Sequence, residues 1–263
     1  MAKSNKKNTK KNNKNLLKII IPALVFTAIV LMGNMDTLMA DWTQSEPLER
    51  GKTLTLILQM LTTGNALLVA PVMCAFPYSA ACIDEIRSGM FKNILYRTDK
   101  ASYIQSKAMA CLISGVMTLM ASALLVTLIS VVLLLPRETT SVIGDVAASP
   151  ENIQSPLIRQ LIGLIFRYGC FGAVWSLVGM LLSLGTFNRL MAWIGPFIVD
   201  YLLEILYERY FDGLKLFYPK EWLVMSWNWP LGDWGICLWL LLLAGMIYLV
   251  VRRTGMRCLE RVV

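Results

Sequence analysis

The sequence predicts an all-α integral membrane protein with six transmembrane helices and both termini in the cytoplasm. Of the 263 residues, 56% are hydrophobic and 16% are charged, and the mean hydropathy is +0.58. Soluble proteins carry about a quarter charged residues, so this composition indicates a bilayer. Apolar runs of about 20 residues, enough for a helix to cross a hydrocarbon core of roughly 30 Å, recur along the chain. Helices are predicted rather than strands because each segment must satisfy its own backbone hydrogen bonds in lipid.

The six predicted spans follow the apolar runs at residues 16–35, 54–82, 108–135, 161–187, 190–207 and 234–251. They form one transmembrane domain, residues 16–263. A Lys/Asn-rich tail, residues 1–15, precedes it and is expected to be disordered and to contact anionic membrane lipid. A signal peptide is the alternative for the amino terminus, but its apolar region spans only about 7 to 15 residues, so we predict a retained anchor.

Lysine and arginine are distributed unevenly between the two sides that these spans define. Seventeen of the 25 lie on one side, in the two tails, in residues 84–107 and at Arg189, and seven lie in the opposite connections. Arg167 falls within the fourth span. The positive-inside rule therefore predicts that both termini and the 84–107 segment are cytoplasmic.

Several functional classes are disfavoured by the residue types in the sequence. It contains no histidine, which removes histidine-based zinc sites, proton relays and serine triads. The six cysteines show no CxxC spacing and are interpreted as small core residues rather than ligands or disulfides. The net charge of +8 is explained by topology, since the basic residues flank apolar runs. We therefore predict no metal site, no catalytic residue and no nucleic-acid partner.

The stretch DEIRSGMFKNILYRTDKASYIQSKAMA, residues 84–110, places a charged, helix-patterned segment between two apolar runs. Over residues 84–97 the apolar positions recur at helical spacing and form one stripe. The stripe consists of Ile86, Met90, Phe91, Ile94 and Leu95. Thr98 and Asp99 supply N-cap chemistry for a second helix that continues into the third span. The first helix either rests on the inner leaflet or docks a cytoplasmic partner.

The same segment contains an acidic residue, a basic residue and a glycine, then a hydrophobic stretch ending at Leu95, and Lys107 at the entry to the next span. This pattern resembles the segment between spans 2 and 3 of ABC-2 type transporter permeases. In that family the segment is a cytoplasmic coupling helix, which sits in a cleft of the ATP-binding subunit. The resemblance implies a coupling helix with the partner-binding residues Glu85, Ile86, Arg87, Gly89, Met90, Phe91, Ile94 and Leu95.

The resemblance extends to six spans, cytoplasmic termini and an aromatic re-entrant element before span 6, here residues 217–233. It implies the membrane-spanning permease subunit of an ABC exporter in a bacterial cell membrane. Such a subunit pairs with a second permease, identical or homologous, and with ATP-binding subunits, and moves an amphipathic peptide, lipid, glycan or drug outward. The polar tail departs from relatives that begin with an amphipathic helix.

The sequence contains no Walker A pattern, GxxxxGK[ST]. If the resemblance holds, ATP and Mg are bound by the partner subunit. This chain is then a non-catalytic transport subunit without a cofactor of its own.

Three charged residues are predicted to lie within the bilayer. Arg167 lies about 9 Å from the outer end of span 4, and Glu204 lies at a matching depth in span 5. Asp200 lies one turn from Glu204 on the same face. Because isolated charges at such depth are costly, we expect Arg167 to pair with Glu204, Asp200 or both. The pair either holds helices together or lines a translocation path.

These charges support the main alternative function, a secondary carrier or channel in which Arg167, Asp200 and Glu204 act directly. A membrane-embedded enzyme is a third class. Without histidine it needs an acid pair or a Ser/Lys pair, and no such pair occurs at matching depth.

Two spans carry features that affect helix packing. Span 4 has a stripe of small residues that permits close helix approach, namely Gly172, Ser176, Gly179 and Ser183. Span 2 is longer than a straight crossing requires, so a kinked or tilted helix is predicted. Its helix-disturbing residues are Gly64, Asn65, Pro71 and Pro77.

Overall fold

All regular structure is helical in the computed structural model, which describes residues 2–43, 51–134, 151–210, 215–224 and 232–262. The described residues contain no strand. The α-helices are α1 (Ala2–Gly33), α2 (Met35–Thr43), α3 (Lys52–Thr62), α4 (Gly64–Ala75), α5 (Ala81–Arg87), α6 (Met90–Leu95), α7 (Lys100–Leu134), α8 (Glu151–Thr186), α9 (Arg189–Tyr210), α10 (Pro219–Leu223) and α11 (Asp233–Val262). A 3-10 helix spans Lys215–Phe217.

Within the described residues, five helices are long and apolar enough to cross a membrane: α1 from Leu16, α7, α8, α9 and α11. The pair α3 and α4 together meets the same test, with a bend of 59° between them. The chain is therefore a multi-pass membrane protein, and its described part holds five candidate spans, or six when the bent pair counts as one. The predicted all-helical fold class is confirmed to this extent.

The bend in the predicted second span lies at Thr63, which has extended backbone angles of φ −67° and ψ 153°. Its hydroxyl donates to the carbonyl oxygen of Met60 at 2.7 Å and accepts from the amide of Asn34 at 3.4 Å. These bonds stabilise the break between α3 and α4. The break is next to Gly64, one of the residues predicted to disturb this span. The span was predicted to continue to residue 82, but α4 ends at Ala75 because Pro77 cannot donate to a helical ladder.

The amino-terminal tail differs from the prediction. Residues 2–15 continue α1 as helix rather than forming a disordered segment. A run of Lys and Asn has no apolar face to pack, but lysine has a favourable helix propensity. The apolar turns from Leu16 onward also nucleate the helix, so adding residues to its end costs little.

The core is centred on α8, the most buried of the long helices. Its largest fully buried side chains include Trp175, Tyr168 and Phe171, and Phe26 of α1 meets Tyr168 edge to face at 6.1 Å. The Tyr168 hydroxyl donates to the carbonyl oxygen of Leu61 in α3. This bond ties the bent second span to the central helix.

One end of the bundle gathers α5, α6, the first turns of α7 and the last turns of α11, and we call it the basic end. Ile104 of α7 lies within 2.9 Å of where a Cβ on Gly255 of α11 would stand. The Ser183 hydroxyl, near the end of α8, donates to the carbonyl oxygen of Ser79 at 3.3 Å. The segment predicted to be cytoplasmic lies at this end.

Candidate functional site

The segment predicted as one helix over residues 84–97 is two helices in the structure. α5 ends at Arg87 and α6 begins at Met90, and Gly89 between them has φ +72°. Glycine adopts this left-handed conformation without the steric cost that a side chain brings. Gly89 therefore turns the chain at the basic end, and the single-helix prediction was wrong because periodicity alone does not detect such a break.

The predicted apolar stripe is divided between the inside and the outside of the protein. Ile86 and Phe91 are buried in the core, at 4% and 0% exposure, and Ile94 and Leu95 are half-buried against it. Met90 is 60% exposed. Most of the stripe therefore anchors the segment to its own transmembrane domain rather than standing free for a partner.

The solvent-exposed side of residues 84–100 is basic. Tyr96 is 90% exposed, and four exposed cations lie near it in sequence, Arg87, Lys92, Arg97 and Lys100. With Met90, these residues form what we call the basic surface. It offers two large side chains within a field of positive charge, which suits a partner with an acidic rim around an apolar pocket.

Glu85 connects α5 to α7 through two contacts. Its carboxylate forms an ion pair with Lys107, and its Oε2 accepts a hydrogen bond from the Tyr103 hydroxyl at 2.7 Å. The side chains of Lys107 and Glu85 are 23% and 27% exposed. Because the pair is mostly shielded from water and shares a charge-assisted hydrogen bond, it holds the segment firmly to the third span.

A second, more exposed contact joins α5 to α9. Asp84 Oδ2 lies 3.6 Å from Arg189 Nε, with side chains 41% and 52% exposed. The guanidinium of Arg189 lies 4.8 Å from the Trp193 ring, which stacks on Phe76 at 5.0 Å. Exposed ion pairs contribute little, so we expect the ring stack of Phe76 and Trp193, which joins the end of α4 to α9, to stabilise this region more than the Asp84–Arg189 pair.

Cys82 lies behind the segment with 1% exposure, and burial raises the pKa of its thiol from an ordinary 9.0 to about 12. The thiolate is the form that reacts with a maleimide, so burial slows the reaction at pH 8 both by blocking access and by raising the pKa of the thiol. We expect Cys82 to remain unmodified at pH 8 in the folded protein, as mapped by peptide mass spectrometry. A Met90→Cys variant supplies the exposed comparison; equal modification of both positions would contradict the buried placement.

The small-residue stripe of span 4 lies at close helix contacts. A Cβ on Gly172 would stand 2.5 Å from the carbonyl oxygen of Gly115 in α7, and one on Gly179 would stand 2.5 Å from that of Ala192 in α9. The carbonyl of Ser176 accepts the Ser79 hydroxyl at 3.0 Å. With the contact of Ser183 at the basic end, all four positions lie where another segment approaches α8.

The three intramembrane charges do not form the predicted pair. Arg167 is 5% exposed, and its Nη1 donates to the carbonyl oxygen of Leu223 at 3.0 Å. Among the described residues, no ion pair joins Arg167 to Asp200 or Glu204. The two carboxylates are half-buried on α9. The structure thus places Arg167 against α10, which belongs to the predicted aromatic element.

The predicted re-entrant element, residues 217–233, is described in part. Residues 215–224 form the 3-10 helix and α10, and Trp222 is buried against Phe171 and Trp175 at ring distances of 6.3 and 6.5 Å. Trp222 and Trp239 both donate their indole N–H to the carbonyl oxygen of Leu216. Residues 225–231 of the predicted element lie outside the described residues.

Comparison with known proteins leaves the family open. No family model, no curated protein and no solved structure matches this chain. The function of this chain therefore has to be inferred from its geometry and from the resemblance of its 84–107 segment.

Sequence reasoning missed two residues of the site, Tyr103 and Tyr96. Tyr103 lies four positions before Lys107 on α7, and both side chains reach Glu85. This helical spacing is the signal that could have identified Tyr103, because residues four apart share a helix face. Tyr96 was missed because it lies off the apolar stripe, where only the folded arrangement shows that it is exposed.

Proposed function

We propose that this chain is the membrane-spanning permease subunit of an ATP-driven ABC-2 type exporter. The observation that carries the proposal concerns the segment between the second and third spans. Its apolar side chains are buried in the protein core, and its basic surface faces solvent. This arrangement suits a coupling element better than an interfacial helix, because Ile86 and Phe91 are buried in the protein rather than directed into lipid.

The ATP-binding subunit docks on the basic surface and carries the ATP and Mg. Its closure moves α5 and α6 through Met90 and Tyr96. Phe91 transmits that displacement to the core, and the Glu85–Lys107 ion pair transmits it to α7. This chain performs no covalent chemistry in the proposed cycle.

A second permease completes the proposed transporter in the plasma membrane of a bacterium. α9 is the least buried of the five long spans and carries the half-buried Asp200 and Glu204. Polar groups on a span favour contact with protein or water over lipid. The exported substrate is amphipathic, a class that includes peptides, lipids, glycans and drugs.

The test is co-purification from native membranes of the full chain in mild detergent. The native chain is expected to retain a Walker-motif ATPase in near-equal amount. A Met90→Ala, Tyr96→Ala double variant is expected to lose at least about nine-tenths of it, because truncating a central large side chain costs 2 kcal/mol or more at many interfaces. Quantitative mass spectrometry of the eluates measures both.

A matched control replaces a methionine and a tyrosine that are exposed away from the basic end, Met32 and Tyr210, by alanine. These side chains are 75% and 72% exposed. The control is expected to keep the ATPase. If the native chain brings no ATPase even after crosslinking, the exporter proposal fails.

The carrier or channel alternative places transport on Asp200 and Glu204. One observation supports this alternative: the buried Oδ1 of Asp200 has no hydrogen-bond partner among the described residues. It predicts that Glu204→Gln abolishes transport while the Met90→Ala, Tyr96→Ala variant remains active. The exporter proposal predicts that the docking variant is inactive.

A further inference from the structure

A cavity of about 1220 Å³ lies between α3, α8 and α11, in the half of the bundle away from the basic end. Two cysteines line it, Cys170 of α8 and Cys237 of α11. Pockets for small molecules measure roughly 300 to 1,000 Å³, so a small reagent has room to enter this space and to reach both side chains. The cavity belongs neither to the basic surface nor to the contacts of Glu85.

The position of these two cysteines sets them apart from the other four. Those four are at most 4% exposed and do not line the cavity, namely Cys74, Cys82, Cys111 and Cys258. Cys170 is half-buried, and Cys237 is 9% exposed. A thiol reacts where a reagent has access to it, so the cavity makes this pair the accessible cysteines of the described chain.

The two side chains lie next to each other across the contact between α8 and α11. The Cys170 side chain forms a hydrogen bond with the side chain of Cys237. The two helices hold this contact in place, because they pack along each other. The sulfurs of a disulfide are about 2 Å apart. A hydrogen-bonded pair can reach that distance by side-chain rotation and a small shift of one helix.

The cavity also lies on the side of the membrane where thiols meet oxidants. The sequence predicts that the basic end is cytoplasmic, and the cavity is at the opposite end of the bundle. Disulfides form and persist outside the cytoplasm, where thiols are not kept reduced. Phe166, Leu238 and Leu241 contribute apolar side chains to the lining, which favours a small apolar oxidant.

We propose that Cys170 and Cys237 are an oxidisable dithiol, which a small disulfide entering the cavity converts into a disulfide bond between α8 and α11. The thiolate of Cys170, the more exposed residue of the two, attacks one sulfur of the reagent. The S–S bond of the reagent breaks, and one half leaves as a thiolate that takes up the proton of Cys170. The thiolate of Cys237 then attacks the Cys170 sulfur of the mixed disulfide and releases the second half in the same way.

This exchange balances, because the two cysteines lose two electrons and two protons and the reagent becomes two thiols. The new bond fixes the distance between two walls of the cavity. The oxidation state of the pair therefore determines whether α8 and α11 can move apart around it. No ATP-binding partner takes part, so the inference stands or falls separately from the exporter proposal.

The test is treatment of the purified full chain in mild detergent with dithiodipyridine, a small apolar disulfide, followed by tryptic peptide mapping without reduction. Cleavage after Arg167 and after Lys220 places Cys170 and Cys237 in separate peptides that contain no other cysteine. We expect most chains to carry a crosslink between these two peptides, with two pyridinethiones released for each crosslink. Cys237→Ser is expected to abolish the crosslink and to leave a pyridine adduct on Cys170.

Cys82 and Cys111 supply the control within the same sample, because they are 1% and 0% exposed and do not line the cavity. Both are expected to remain unmodified. A pyridine adduct on Cys170 of the native chain without the crosslink would overturn the proposal, since it would show that Cys237 is out of reach. An unreacted Cys170 would also overturn it, as would crosslinks to Cys82 or Cys111 that are equally abundant.

Discussion

Gly172→Leu is expected to prevent α7 and α8 from packing and to remove most of the folded protein. A Cβ alone at this position would stand 2.5 Å from the Gly115 carbonyl oxygen and 2.9 Å from its carbon. Both atoms are backbone, so the helices must separate to relieve the clash. Overpacking by a methylene or two costs about 1 to 3 kcal/mol, and we expect leucine to exceed that range and Gly172→Ala to fall within it.

The contact is reciprocal, which makes the expectation stronger. A Cβ on Gly115 would stand 2.5 Å from both the Gly172 carbonyl oxygen and the Ser176 hydroxyl oxygen. Small residues on both helices thus allow the backbones to approach closely, the arrangement that stabilises helix pairs in membranes. Gly115→Leu is expected to have the same effect as Gly172→Leu.

The measurement is the monodisperse fraction in size-exclusion chromatography after mild solubilisation, together with the apparent Tm. Gly185→Leu is the matched control, since Gly185 belongs to the same helix and has no heavy atom within 4 Å of its added Cβ. The control is expected to behave like the native chain. Comparable losses in both variants would show that leucine harms this helix for a reason other than the α7 contact.

The outline of the fold could be predicted because apolar length and charge bias act locally along the sequence. The long helices follow directly from apolar runs, and Gly64 and Asn65 marked the bend of the second span. The small-residue stripe at Gly172 pointed to close packing, because small side chains on one face let a neighbouring helix backbone approach.

The parts that could not be predicted depend on partners that are distant in the chain. Arg167 binds a backbone carbonyl 56 residues away. Every residue has a carbonyl, so no residue type marks that acceptor. Periodicity placed Ile86, Met90 and Phe91 on one stripe, but which of them is covered depends on the turn at Gly89 and on the core behind it. The side chains that form the basic surface could therefore be read only from the fold.

Among single substitutions that remove one charge at the basic end, Glu85→Gln is expected to lower the stability of the protein the most. It removes the ion pair with Lys107 and weakens the hydrogen bond from Tyr103. Hydrogen bonds to charged groups contribute about 1.5 to 3 kcal/mol, and the site is shielded enough from water for this range to apply. The apparent Tm is expected to fall by several degrees, and in the proposed exporter ATP hydrolysis is expected to continue without transport.

The neighbouring residue provides the control for Glu85→Gln. Asp84→Asn removes the more exposed contact with Arg189, which is worth less than about 1 kcal/mol, and is expected to leave the Tm almost unchanged. A charge exchange, Glu85→Lys with Lys107→Glu, is expected to recover part of the lost stability, because it restores an attractive pair at the same place. If Asp84→Asn and Glu85→Gln have equal effects, or if the exchange is worse than the sum of its single changes, the ion pair is not what holds α5 to α7. The anchoring would then fall to the buried Ile86 and Phe91 and the half-buried side chains beside them, and transmission from the basic surface to the third span through the ion pair would lose its physical basis.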